Sequence, residues 1–314
     1  MKNNILITGA AGFMGLSLTS RLLKLDDTKD GKIVLLYHHN KPIRSYGADN
    51  VVAIKGDLND YDSLCEIISV HEINTIYHFA SNSILKECFD EPVRAYMNNV
   101  MGTVNLLEAV RTVGMETVRK IIVSTSSKVY GDTPSPYTEE TLLKPKYTYE
   151  CTKACQDIVA QNYFSSYNLP INIIRCPNLY GPNDSNISRV IPTTIRSVNN
   201  GERPQVYSSV KDAIREFVYV DDLIDAILLI EEKAKNGEIF CIGGSGAISI
   251  NSLVEKICSL MGYDGGIEIV EKLGFFQESK DQSIDDSRLR ELGWRPNFTL
   301  DQGLIECIES ETYR

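Results

Sequence analysis

The chain has 314 residues, 43% of them hydrophobic and 24% charged, and this suits one large α/β domain or two smaller ones with ample core. Its net charge of -10 argues against bare nucleic acid and anionic membrane surfaces as partners, and no apolar run is long enough to span a bilayer. The eight cysteines never form C-x-x-C, and the opening "MKNNILITGAAGF" enters a strand pattern with no leader-like apolar region, so a reduced, cytoplasmic protein with no metal site is expected.

The first predicted strand, "NILIT", runs into "GAAGFMG", which places Gly9, Gly12 and Gly15 between a strand and the helical pattern "GLSLTSRLLKL". Glycines there permit a tight turn and close backbone approach, and a helix N-terminus favours a pyrophosphate, so dinucleotide binding is expected. Further short β-branched runs follow at "KIVLLY", "VVAIKG", "NTIYHFA", "KIIVST" and "INIIRC". Between them "YDSLCEIISVH", "PVRAYMNNVMGTVNLLEAVRTV" and "CTKACQDIVAQNYFSSY" carry apolar residues at three-to-four spacing. This alternation predicts an α/β fold: a doubly wound, Rossmann-like parallel sheet covered on both faces.

Past Arg175 the order loosens. "RVIPTTIRSVNNG" predicts a helix, "REFVYVDDLIDAILLIEEKAKNG" a strand passing into a helix, and "EIFCIGG", "SINSLVEKICSLMG" and "LRELGWRPNFTLDQGLIECIE" a strand and helices. The expected organisation is a dinucleotide-binding domain of residues 1–175 with about 216–243. A smaller, discontinuous α/β substrate domain takes 176–215 with about 244–314.

The pattern Y-x-x-x-K occurs at Tyr37/Lys41, Tyr149/Lys153 and Tyr207/Lys211. On a helix the two side chains share a face, so any helical copy is a candidate proton-transfer pair. Tyr37 ends a strand, which leaves the other two open. Cys151 and Cys155 are also four apart, and two small buried side chains are the expected reading.

The motifs "TGAAGFMG", "GDLND", "YHFAS", "NNVMGTVNLLEA", "STSSKVYGD", "YECTK", "RCPNLYGP", "REFVYVDDLIDA" and "LGWRP" together resemble the extended short-chain dehydrogenase/reductase family that acts on nucleotide-activated sugars. The resemblance implies Ser126, Tyr149 and Lys153 as catalytic residues. Tyr149 would be the acid/base on a sugar hydroxyl, while Lys153 favours its phenolate and binds the nicotinamide ribose. It also implies cofactor contacts from Gly9, Gly12, Phe13, Met14, Gly15, Asp57, Leu58, Phe79, Ala80 and Asn99, besides Tyr149 and Lys153. Substrate contacts are implied for Ser127, Lys128, Asn178 and Arg215.

NAD-preferring members end the second strand with an acid; here "LLYHHNKPIR" offers His38, Lys41 and Arg44 instead, which tips the expectation slightly to NADP(H), with NAD(H) the alternative. Dehydratases of the family carry an acid/base pair after the Ser/Thr, but Ser127 and Lys128 stand there. The expectation is therefore a C4 epimerase, with a 4-keto reductase second and a 4,6-dehydratase or a non-catalytic dinucleotide-binding protein behind. The helices at 93–113 and 149–167 imply a homodimer through a four-helix bundle.

Overall fold

A computed structural model describes residues 3–25, 30–39, 49–184, 186–271 and 279–313. The strands in chain order are β1 (Ile5–Thr8), β2 (Ile33–Tyr37), β3 (Val51–Lys55), β4 (Thr75–His78), β5 (Lys120–Ser126), β6 (Ile171–Cys176), β7 (Asn178–Tyr180), β8 (Gln205–Tyr207), β9 (Ile214–Tyr219), β10 (Ile239–Cys241), β11 (Ala247–Ser249), β12 (Glu268–Val270) and β13 (Asp281–Gln282). The α-helices are α1 (Phe13–Leu22), α2 (Tyr61–Val70), α3 (Leu85–Asp90), α4 (Pro92–Tyr96), α5 (Gly102–Ala109), α6 (Thr148–Tyr167), α7 (Val190–Asn199), α8 (Val220–Lys233), α9 (Ile250–Leu260), α10 (Ser287–Glu291) and α11 (Leu300–Glu309).

The chain forms two compact units. The first comprises Met1–Val129, Pro145–Arg175 and Ile227–Phe240; the second comprises Tyr130–Lys144, Cys176–Ala226 and Cys241–Arg314. A seven-stranded sheet in the order β10-β6-β5-β4-β1-β2-β3 organises the first unit. The β3-β2-β1-β4-β5 ladders are parallel, with Ile5 opposite both Ile33 and Thr75. Such a sheet is covered on both faces, and this explains why every residue of β1 and β4 is buried.

On one face Leu6, Ile76, Ile121 and Val123 from the strands pack with Ile67 and Ile68 of α2, Leu106 and Leu107 of α5, and Ala160 and Tyr163 of α6. Burying an aliphatic side chain of this kind is worth about 1.5–3 kcal/mol, so this layer is a principal source of stability. A bidentate pair also pins α6: Asp157 accepts from Arg175 Nε and Nη2, each at 2.9 Å, and from the Thr125 hydroxyl at 3.1 Å.

The long helical run expected over 92–113 is interrupted. Two π-helical turns, Met97–Met101 and Val110–Gly114, flank α5. Each accommodates an extra residue in the turn, and the first holds the buried Asn99. The six-residue α3 lay below the resolution of a periodicity reading, as did the two- and three-residue strands β7, β8 and β11–β13.

In the second unit β9 is central. It pairs with β11 antiparallel and with β7 and β13 in parallel, while β8 and β12 form a separate ladder. Tyr180, Phe217 and Tyr219 pack with Leu253, Ile257 and Leu304 in its core. Asp222 fastens the "WRPNF" segment by accepting from the backbone N–H groups of Asn297 and Phe298, while its carbonyl receives the Trp294 indole N–H. Among the described residues no helix is long and apolar enough to cross a membrane, and no cluster of three or more His, Cys, Asp or Glu could hold a metal ion.

Candidate active site

The strand order reverses between β1 and β4, and α/β sheets bind ligands outside the carboxyl ends of the strands at such a point. The glycine turn lies there. Gly9 has a φ of +68°, and a Cβ on it would stand 2.7 Å from the Ala80 nitrogen. A Cβ on Gly15 would stand 2.5 Å from the Gly9 carbonyl oxygen. Gly12 caps α1 with no side-chain hydrogen bond and donates its N–H to the Gly9 carbonyl at 2.9 Å. The turn is thus packed to backbone contact on its inner side, and only glycine fits at 9 and 15. Phe13 and Met14 open α1, and Met14 Sδ accepts a 3.8 Å contact from the Ser124 hydroxyl at the end of β5.

Phe79 and Ala80 follow β4 and donate their backbone N–H groups to the Thr8 carbonyl and the Thr8 hydroxyl, each at 3.3 Å. Asn99 is wholly buried. Its carbonyl oxygen accepts from Asn82 N at 2.6 Å and its NH2 donates to Thr152 Oγ1 at 2.9 Å, so its amide clasps the loop after β4 to α6. Asp57 and Leu58 lie just after β3; Asp57 caps its own turn through Asn59 N, and the Leu58 carbonyl accepts from Asn105. His38 stands at the end of β2 with Nε2 3.4 Å from Asp57 Oδ2, both side chains about half exposed. Lys41 and Arg44 lie outside the described residues.

Tyr149 is the second residue of α6. Glu150 sets that helix start by accepting from the backbone N–H groups of Lys146 at 2.8 Å and Tyr147 at 3.2 Å. Tyr149 and Lys153 are one turn apart on α6, whereas Tyr207 is the last residue of β8 and Lys211 lies in the turn beyond it, so no helix presents that pair together. Tyr149 is partly exposed; Lys153 is only 3% exposed. The Lys153 ammonium donates to the Ser124 carbonyl at 3.0 Å and to Gln156 Oε1 at 2.9 Å. Ser126 and Ser127 are buried at the end of β5, where a single 3-10 turn, Ser127–Tyr130, begins. Ser126 Oγ accepts from Lys128 N at 3.2 Å, so the hydroxyl helps to close that turn.

Four buried residues to which the motif reading gave no role stand behind this site. Gln156 Nε2 donates to Thr103 Oγ1 at 3.0 Å, Thr103 Oγ1 lies 2.9 Å from His78 Nε2, and His78 Nδ1 lies 2.7 Å from Thr8 Oγ1. Burial pushes the His78 imidazole down to about 3, with the Lys153 charge adding to the effect. Nothing periodic in the sequence advertises these partners.

In the second unit, Asn178 donates its side-chain N–H to the Glu216 carbonyl at 3.1 Å. Arg215 is only 3% exposed, and its Nη1 donates to the Ile214 carbonyl at 2.8 Å.

Comparison with known proteins places this geometry. The model of the family described as GDP-mannose 4,6-dehydratase matches residues 6–307. A trifunctional UDP-glucose 4,6-dehydratase/UDP-4-keto-6-deoxy-D-glucose 3,5-epimerase/UDP-4-keto-L-rhamnose-reductase of Arabidopsis thaliana is 30% identical over 98% of this chain. The chain spans about half the length of that plant protein, 46%. The crystal structure of dTDP-glucose 4,6-dehydratase from Bacillus anthracis in complex with NAD superposes with a TM-score of 0.86 at 28% identity, covering 98% of this chain and 96% of that one. UDP-glucose 4-epimerase from Thermotoga maritima, solved with UDP-glucose, gives a TM-score of 0.86 at 25% identity, covering 98% and 97%. Dehydratases and epimerases of nucleotide sugars thus share this architecture, and the chain belongs to the GDP-mannose 4,6-dehydratase family, within the extended short-chain dehydrogenase/reductase group of nucleotide-sugar epimerases and dehydratases.

Proposed function

We propose that the chain is a nucleotide-sugar epimerase acting by reversible oxidation at C4 of the sugar. One observation carries the choice among the family's reactions: Ser126 is followed by Ser127 and Lys128, with no carboxylate at either position, while Ser126, Tyr149 and Lys153 are all present. Eliminating water across C5 and C6 calls for an acid/base pair beside the substrate, and Ser127 and Lys128 supply neither of the carboxyl groups that dehydratases of the family use for that task. Epimerisation and reduction need no further acid.

The residues present fit a dinucleotide. The backbone cradle at Gly9 and Gly15 has no room for a Cβ, and α1 opens at Gly12 without a side-chain cap, so this turn and Phe13 and Met14 would hold the pyrophosphate. Asp57, Leu58, Phe79, Ala80 and Asn99 would line the remainder, with Lys153 at the nicotinamide ribose. When bound, the nicotinamide supplies the hydride acceptor and donor.

Tyr149 takes the proton of the C4 hydroxyl and returns it in the reverse step. A free phenol with a pKa near 10 is a weak base at neutral pH, and the Lys153 ammonium one turn along α6 favours its phenolate. Ser126 donates a hydrogen bond to the same sugar oxygen. Ser127 and Lys128 would flank the sugar, while Asn178 and Arg215 would meet the diphosphate, Arg215 by bidentate donation. Epimerisation then requires the 4-keto sugar to offer its opposite face before it is reduced.

A 4-keto-sugar reductase is the second reading. It is favoured by the end of β2, where Tyr37, His38 and His39 replace the usual carboxylate and Lys41 and Arg44 follow, an arrangement that supports NADP(H). The Asp57 carboxylate 3.4 Å from His38 opposes a 2′-phosphate, and NAD(H) therefore stays the alternative. A homodimer is also proposed, because Val93, Tyr96, Met97 and Met101 around α4, with Ile158 and Tyr167 on α6, expose 39–75% of their surface.

The deciding experiment incubates the purified protein with UDP-, GDP-, CDP- and dTDP-sugars, without added cofactor, and follows products by NMR. Inversion at C4 with no net nicotinamide consumed is the expected result. Stoichiometric NADPH loss with a 4-keto substrate would establish the reductase instead, and a 4-keto-6-deoxy product would overturn the argument from Ser127 and Lys128.

A further inference from the structure

The hydrogen-bond directions in the buried chain behind Lys153 can be assigned one by one. An ammonium only donates, so the oxygen of the Gln156 amide faces Lys153 and its NH2 faces Thr103. The Thr103 hydroxyl gives its proton to the Asn99 carbonyl at 2.7 Å and must accept from its other partners. His78 Nε2 therefore carries the ring proton, and Nδ1 accepts from the Thr8 hydroxyl. Thr8 is the last residue of β1, directly before Gly9. Thr8, His78, Thr103 and Gln156 are all 0% exposed, and Lys153 is 3% exposed. No member can turn over without stranding a buried polar group, which costs about 1–3 kcal/mol. The amide of Gln156 is thus locked in one orientation from both ends.

We propose that Gln156 is a positioning residue: anchored through Thr103 and His78 to Thr8 at the glycine turn, it holds the Lys153 ammonium with a neutral oxygen, so that this contact takes nothing from the positive charge offered to Tyr149. The inference rests on the reading of Tyr149 and Lys153 as the acid/base pair and goes beyond it, since neither residue explains why an amide stands at 156. A carboxylate of the same length would also accept from the ammonium and would be the stronger partner. It would cancel much of the lysine's field and disfavour the phenolate directly.

Two titratable groups on other elements feel the charge of the ammonium. His78 on β4 is held neutral, and the Cys88 thiol on α3 is pushed up to about 11, chiefly by burial. Glu150 on α6 is turned to the backbone N–H groups of Lys146 and Tyr147. Lys153 also donates to a main-chain carbonyl, that of Ser124, which is likewise neutral. Position 156 is therefore a point at which one atom's change, amide nitrogen to oxygen, alters the charge seen by the pair while preserving its shape.

The test is to follow the Tyr149 ring by NMR in protein labelled at tyrosine Cζ and loaded with oxidised dinucleotide, the resonance being identified by its loss in Tyr149→Phe. In the parent protein it should titrate below the ordinary tyrosine range. In Gln156→Glu its midpoint should rise by about one pH unit. In Gln156→Asn, neutral but one carbon short of the ammonium, it should rise by a smaller step of about half a unit. An unmoved midpoint in either variant overturns the proposal, and Gln156→Asn decides alone should the glutamate variant fail to fold. A parent resonance titrating at or above the ordinary value would instead reject the assignment of Tyr149, an outcome distinct from failure of the Gln156 argument.

Discussion

The Lys153 ammonium donates a 3.0 Å hydrogen bond to the Ser124 carbonyl, which ties the first turns of α6 to the end of β5. That bond fixes the charge beside Tyr149 and joins the two segments that hold Tyr149 and Ser126. If Tyr149 moves the proton, Tyr149→Phe should lower turnover by about 1,000-fold while dinucleotide affinity, read by calorimetry, stays within about twofold. Lys153→Ala should damage both, because it also removes the group proposed for the ribose. Near-normal turnover in Tyr149→Phe would remove Tyr149 from the mechanism.

At the glycine turn, Gly9→Ala introduces a Cβ 2.7 Å from the Ala80 nitrogen at a backbone φ of +68°. Strain of this kind costs about 1–3 kcal/mol. The expected outcome is a lower unfolding midpoint together with at least about tenfold weaker dinucleotide binding. Unchanged affinity would mean that the turn does not approach the cofactor.

Stability should depend heavily on Asp157, which is wholly buried with Arg175 and receives two 2.9 Å bonds from its guanidinium. Removing one partner strands the other charge, at a cost of about 3–5 kcal/mol. Urea denaturation of Asp157→Ala should report a loss of that size. A loss under about 1 kcal/mol would show that the guanidinium finds another partner or water.

Acid sensitivity should trace partly to His78, whose imidazole is pushed down to about 3 by burial and by the Lys153 charge. The unfolded chain takes up this proton below about pH 6.5 and the folded chain only below about 3. The site's contribution is therefore complete above pH 6.5 and is lost as pH falls towards 3, at about 1.4 kcal/mol per unit and about 5 kcal/mol in all. His78→Asn should flatten the fall in stability between about pH 6 and pH 4. An identical slope in the variant would assign acid sensitivity elsewhere.

Assembly can be tested on the exposed apolar residues on and just after α4, where Val93 is 75% and Met97 44% exposed. Light scattering should find a dimer in the parent protein and a monomer in Val93→Glu/Met97→Glu, with the fold retained by circular dichroism. A monomeric parent at micromolar concentration would reject the interface.

The sequence by itself determined the first six strands and the glycine turn, because β-branched runs and glycine spacing are local signals that the parallel sheet merely collects. It also singled out Tyr149/Lys153 as the helical copy of a repeated pattern once the family's motifs lay in register. Only the tertiary structure decided what supports that pair. Thr8 meets His78 across 70 residues, His78 meets Thr103 across 25, and Gln156 meets Thr103 across 53. Hydrogen bonds between residues so far apart leave no period in the chain. The same reason hid the clasp at Asn99 and the short strands around β9, in which segments far apart in the chain satisfy one another's buried backbone groups. Local chemistry chose the residues of the candidate site; close packing of remote segments chose their orientation and neighbours.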